Sequence, residues 1–75
     1  MTAVEVAFNY GMNPTETVMR ALDNMREVYG VRRIRVNEAE RTIRVEYDAT
    51  RLNEDTVAAL LRRSGMDLRD RVVLV

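Results

Sequence analysis

The feature that most constrains the fold of this chain is the way its apolar residues change period along the sequence. In "VEVAF", Val4, Val6 and Phe8 alternate with Glu5 and Ala7, the two-residue period of a strand with one buried face. Val18, Ala21, Leu22, Met25 and Val28 then recur at the spacing of one helix face. In "VRRIRV", Ile34 and Val36 lie on one side and Arg33 and Arg35 on the other. The polar stretch "NEAER" turns the chain, and Ile43, Val45 and Tyr47 align along the returning strand. A second helical stripe follows at Val57, Leu60 and Leu61, and "RVVLV" closes the chain as a short apolar strand.

Boundary residues reinforce these periods. "NPTE" is a helix start in which Asn13 caps, Pro14 takes the first helical position and Glu16 completes a capping box. Gly30 is placed to end that helix. The second helix starts near Asn53, with Glu54 and Asp55 in its first turn, and Gly65 stops it. The order is strand, helix, strand, strand, helix, strand. With right-handed crossovers it predicts an α+β, ferredoxin-like sandwich: a four-stranded antiparallel sheet with both helices on one face.

Seventy-five residues provide for a single domain spanning 1–75. An apolar fraction of 47% argues against disorder. Twelve basic and twelve acidic residues cancel, so no overall charge pulls the chain toward nucleic acid or an anionic membrane. There is neither cysteine nor histidine. That excludes disulfides, thiol redox chemistry, the usual zinc and copper ligands, and Ser-His-Asp or Cys-His catalysis. No apolar run approaches the ~20 residues of a membrane span, and "MTAVEVAF" lacks the form of a signal peptide. The expectation is a cytoplasmic protein, or part of one, that is not an enzyme and needs no cofactor.

Gly11-Met12 after the first strand, "GVRRIRV" (30–36), "IRVEYD" (43–48) and "VAALLRRSGM" (57–66) follow one another in a familiar order. With them the chain resembles the heavy-metal-associated, copper-chaperone-like domain family over nearly its whole length. That family's motif is Gly-Met-x-Cys-x-x-Cys, whose two thiolates hold a soft metal ion such as Cu(I). In this sequence the two ligand positions are Pro14 and Thr17. The resemblance thus implies the family's fold without its thiolate chemistry, and implies that Met12 packs beneath the loop.

Three kinds of site remain. Met12 and Met66, in the loops beside the first helix's start, are the only candidates for a soft-metal site, and two thioethers without a thiolate bind weakly. Methionines in a core this small more simply fill gaps between other side chains. Arg33, Arg35 and Arg44 share the open sheet face with Glu5 and Glu46. That face carries no aromatic ring to stack bases, which argues against nucleic acid. Finally, the apolar stretch Val72, Val73, Leu74 and Val75 falls on a sheet edge without charges to guard it, which suggests a pairing partner. The expected function is a binding module for a protein partner or a second copy, through the last strand or the open face. The alternatives are metal transport through non-cysteine ligands and a dimeric small-molecule sensor.

Overall fold

The computed structural model describes residues 2–73. Six elements follow in the expected order: β1 (Ala3–Tyr10), α1 (Glu16–Met25), β2 (Val31–Asn37), β3 (Thr42–Asp48), α2 (Glu54–Arg63) and β4 (Leu68–Val72). The strands form one sheet in the order β2-β3-β1-β4, with every neighbouring pair antiparallel. This is the ferredoxin-like βαββαβ sandwich. The alternation in β1 and β3 puts Val6, Phe8, Tyr10, Ile43, Val45 and Tyr47 on one face, where they join Leu22 and Met25 of α1 and Val57, Ala58 and Leu61 of α2 in a single core. Ile43, Val45, Val57 and Leu61 are fully buried. Both helices therefore cover the same face, and the other is left open.

Three boundaries depart from the sequence reading. The cap of α1 is Thr15, not Asn13: its side chain accepts from the Val18 amide at 3.3 Å. Asn13 instead accepts from the Tyr10 hydroxyl at 3.1 Å. Helix α1 also stops earlier than its apolar spacing suggests. Its last carbonyls receive three-residue turns, Arg26 to Asp23, Glu27 to Asn24 and Val28 to Met25, so the chain tightens before Gly30 (φ 105°) reverses it into β2. Val28 still packs on the core, although it lies outside the helix.

Helix α2 matches the sequence reading closely. Asn53 caps it, accepting from the Thr56 amide at 2.8 Å. Its end is a Schellman turn: the Gly65 amide donates to Arg62 and the Met66 amide to Leu61, with Gly65 at φ 101°. That turn delivers Met66 into the core and starts β4 at once.

The third departure is therefore β4 itself. It is built from "LRDRV" (68–72), not "RVVLV", because Leu68 pairs with Tyr10 and packs on the core. Arg71, opposite Phe8, holds Glu54 at the start of α2 at 2.8 Å. The strand thus carries Arg69, Asp70 and Arg71, which guard this edge in the usual way. Of the apolar stretch, Val72 ends the strand and Val73 lies exposed beyond it. Leu74 and Val75 fall outside the described residues. No helix among the described residues is long and apolar enough to cross a membrane.

Candidate functional site

The end of the sandwich where the family resemblance places metal ligands is made by three connections. The β1–α1 loop (11–15) meets the α2–β4 link through the Gly11 amide, which donates to the Asp67 carbonyl at 2.9 Å. The β2–β3 turn joins them through the Tyr10 amide, which donates to the Arg41 carbonyl at 2.9 Å. In that turn Asn37 accepts from the Glu40 amide at 3.1 Å. Arg41 takes a left-handed backbone (φ 53°), a conformation that strains a residue with a Cβ. Its guanidinium donates to the Gly11 carbonyl at 3.0 Å. Asp67 is in turn paired with Arg69 at 3.0 Å.

Around this frame the candidate ligands separate. Met12 is 68% exposed, so it does not pack beneath the loop as the resemblance implies. Met66 is buried in the core, its amide held by the Schellman turn. One thioether faces solvent and the other faces apolar side chains, and the structure does not bring the pair together as an open site. Pro14 precedes the cap residue and Thr17 sits exposed in the first turn of α1. Tyr10, whose hydroxyl supports the loop through Asn13, has its pKa pushed up by burial and then by the Glu38 charge, so it stays a neutral phenol. Among the described residues, no group of three or more His, Cys, Asp or Glu side chains is arranged to hold a metal ion. The chemistry of this end is a neutral hydrogen-bonded loop with a guanidinium on its carbonyl. Arg41 was not singled out from the sequence, because its contact spans thirty residues and has no local signature.

The opposite end holds a hollow of about 470 Å³ between the α1–β2 and β3–α2 connections. Its cations are already engaged. Arg51 lies over the Tyr29 ring at 3.9 Å and pairs with Asp48 at 3.5 Å. Arg26 donates to the Ile34 carbonyl at 3.1 Å. Asp48 also accepts from the Thr50 hydroxyl at 2.7 Å and amide at 3.0 Å. Those two bonds, helped by Arg51, hold its carboxyl below the ordinary carboxylate range. This end reads as a structural clasp.

The open face carries the remaining candidates. Arg44 donates to Glu5 at 3.3 Å. Glu46 pairs with Arg32 at 3.4 Å, not with Arg33, its register partner. The cause is a bulge: the register shifts between Val31 and Arg33, so Arg32 is an extra residue that brings both Val31 and Ile34 into the core. Arg35 sits directly opposite Arg44. Phe8 and Tyr47 are buried on the helix side, as their alternation requires, so the face is free of their rings.

Comparison with known proteins bears on the fold. No protein-family model matches the chain, and no curated protein matches it in sequence. Among solved structures, the chain is similar to the N-terminal domain of ZntA in its apo-form. The two share 21% identity and a TM-score of 0.66, over 92% of this chain and 93% of that one. The chain therefore shares its ferredoxin-like fold with that domain, and it contains no cysteine.

Proposed function

We propose that this chain is a non-enzymatic protein-interaction module on a heavy-metal-associated-like scaffold, its metal loop converted into a closed structural loop. The observation that carries this reading is Arg41. A guanidinium fixed 3.0 Å from the Gly11 carbonyl puts a permanent positive charge where a metal carrier would need to attract a cation. The same loop offers Pro14, Thr17 and one exposed thioether in place of two thiolates. Without cysteine or histidine, the loop also has no activated nucleophile of the usual kinds. With β4 guarded by its own charges, the working surface is the open sheet face rather than the last strand.

Native mass spectrometry, with the protein alone and with Cu(I), Zn²⁺ or Ni²⁺ added, tests the reading. The expected spectrum has no stoichiometric metal adduct. A one-to-one adduct that survives mild collisional activation and disappears on Met12→Leu substitution would replace this reading with metal carriage through non-cysteine ligands.

A further inference from the structure

We infer that the β2–β3 half of the open face docks an extended acidic segment of a partner protein, with Arg33 and Arg35 as its carboxylate receivers. This rests on the interaction-module reading and names the partner's chemistry. Four arginines, Arg32, Arg33, Arg35 and Arg44, stand here against Glu5 and Glu46. The two glutamates are spent on Arg32 and Arg44. Among the described residues, the side chains of Arg33 and Arg35 have no ion-pair or hydrogen-bond partner, although both are exposed. Arg35 moreover faces Arg44 across the strands, an arrangement of like charges that disfavours folding. Folding does not account for this pair, whereas an anionic ligand would relieve it.

Geometry narrows the anion. Arg33 and Arg35 are two residues apart on one strand, about 6.6–6.8 Å. An extended peptide repeats its same-side carboxylates at that interval, and each carboxylate can accept a guanidinium fork. Nucleic acid would supply phosphates too, but it would also present bases, and Phe8 and Tyr47 are buried on the other side of the sheet. Pairing along the edge of β2 is hindered, because Arg26 holds the Ile34 carbonyl there. The segment therefore lies on the face. Arg35 and Arg44 line a hollow of about 430 Å³ whose turn side is formed by Glu38 and Glu40. Those two acids give the face a polarity, so carboxylates seat over Arg33 and Arg35 and away from the turn.

The test is fluorescence anisotropy at low and high salt with three labelled probes of equal charge. One is a peptide of alternating glutamate and threonine, another has the same residues with all glutamates in one block, and the third is single-stranded oligouridylate. The alternating peptide should bind tightest, more weakly in high salt. Its affinity should fall about tenfold in R33E/R35E, and by a smaller factor in R33Q/R35Q. The R62E/R63E control carries the same charge change on exposed positions of α2 and should stay within about twofold of the parent. Circular dichroism confirms that each variant is folded. Absence of peptide binding, an equal loss in the α2 control, or equal or tighter binding of the RNA would each overturn the proposal. None of these results bears on the metal titration that tests the interaction-module reading.

Discussion

Replacing Arg35 with glutamate should make this domain more stable, although it reverses a charge on a strand. Arg35 and Arg44 are register partners on the open face, and a like-charged pair in that position costs about 0.2–1 kcal/mol. The substitution converts it into an opposite-charged pair of similar size, so the full swing is about 0.4–2 kcal/mol. No contact is lost, because the Arg35 side chain has no partner among the described residues. Three factors reduce the gain: Arg44 is already paired with Glu5 at 3.3 Å, both side chains are exposed and screened, and glutamate is a slightly poorer strand former. About 1 kcal/mol at low salt is the expected result, equivalent to a rise of about 4–8 °C in Tm for a domain of this size. Urea denaturation followed by circular dichroism, at low and high salt, measures it. The gain should shrink in high salt and vanish on an Arg44→Gln background. Destabilisation by more than about 0.5 kcal/mol, or a gain that persists without Arg44, would refute the pairing argument. The same variant should bind the acidic peptide less well, which separates binding from stability.

Three other outcomes follow from the structure. Thr15→Ala should cost about 0.5–1 kcal/mol, the lower part of the cap range given the 3.3 Å bond, and should expose the Val18 amide to hydrogen exchange. Asn13→Ala should leave that amide protected; the reverse pattern would restore Asn13 as the cap. Asp48 has a folded pKa below its unfolded value near 3.9. It therefore stabilises the fold above that unfolded value, and the contribution is lost as pH falls through the folded pKa. Asp48→Asn should flatten the loss of Tm on acidification below about pH 4, and an unchanged acid limb would show that another group governs it. Joint replacement of Pro14 and Thr17 by cysteine should create a site for one Cu(I) under reducing conditions, and a further Arg41→Gln substitution, which removes the guanidinium from the Gly11 carbonyl, should tighten it. A folded double variant that takes up no Cu(I) would mean the loop does not correspond to the family's metal loop.

Much of this protein was legible in its sequence because local periodicity and capping act over a few residues. The alternation of Val4, Val6 and Phe8, the stripe of Val57, Leu60 and Leu61, the Asn53 cap and the Gly65 stop all depend on neighbours within one or two turns. They identify the elements and, through connection rules, the sandwich. The errors fall where two local solutions compete. Asn13 and Thr15 can both cap a helix, and the choice went to Thr15 because Asn13 is held by the Tyr10 hydroxyl, a contact that exists only once β1 is in place. "RVVLV" has the stronger strand propensity, yet "LRDRV" forms β4, since the turn at Gly65 and Met66 sets where the chain meets Tyr10.

The site followed the same division. The missing cysteines were plain from composition, and so was the placement of Arg33, Arg35 and Arg44 on one face. The bulge that gives Glu46 to Arg32, the burial of Met66 against the exposure of Met12, and the seating of Arg41 on the Gly11 carbonyl were not. Each joins residues far apart in the chain, and such contacts are decided by how the sheet closes rather than by any local preference. The sequence alone determined where strands and helices fall, which way most of their apolar residues face and which chemistries are absent; the tertiary structure decided which loop residues are buried, which charges meet and which are left unpaired, because these depend on distances that only the assembled sheet defines.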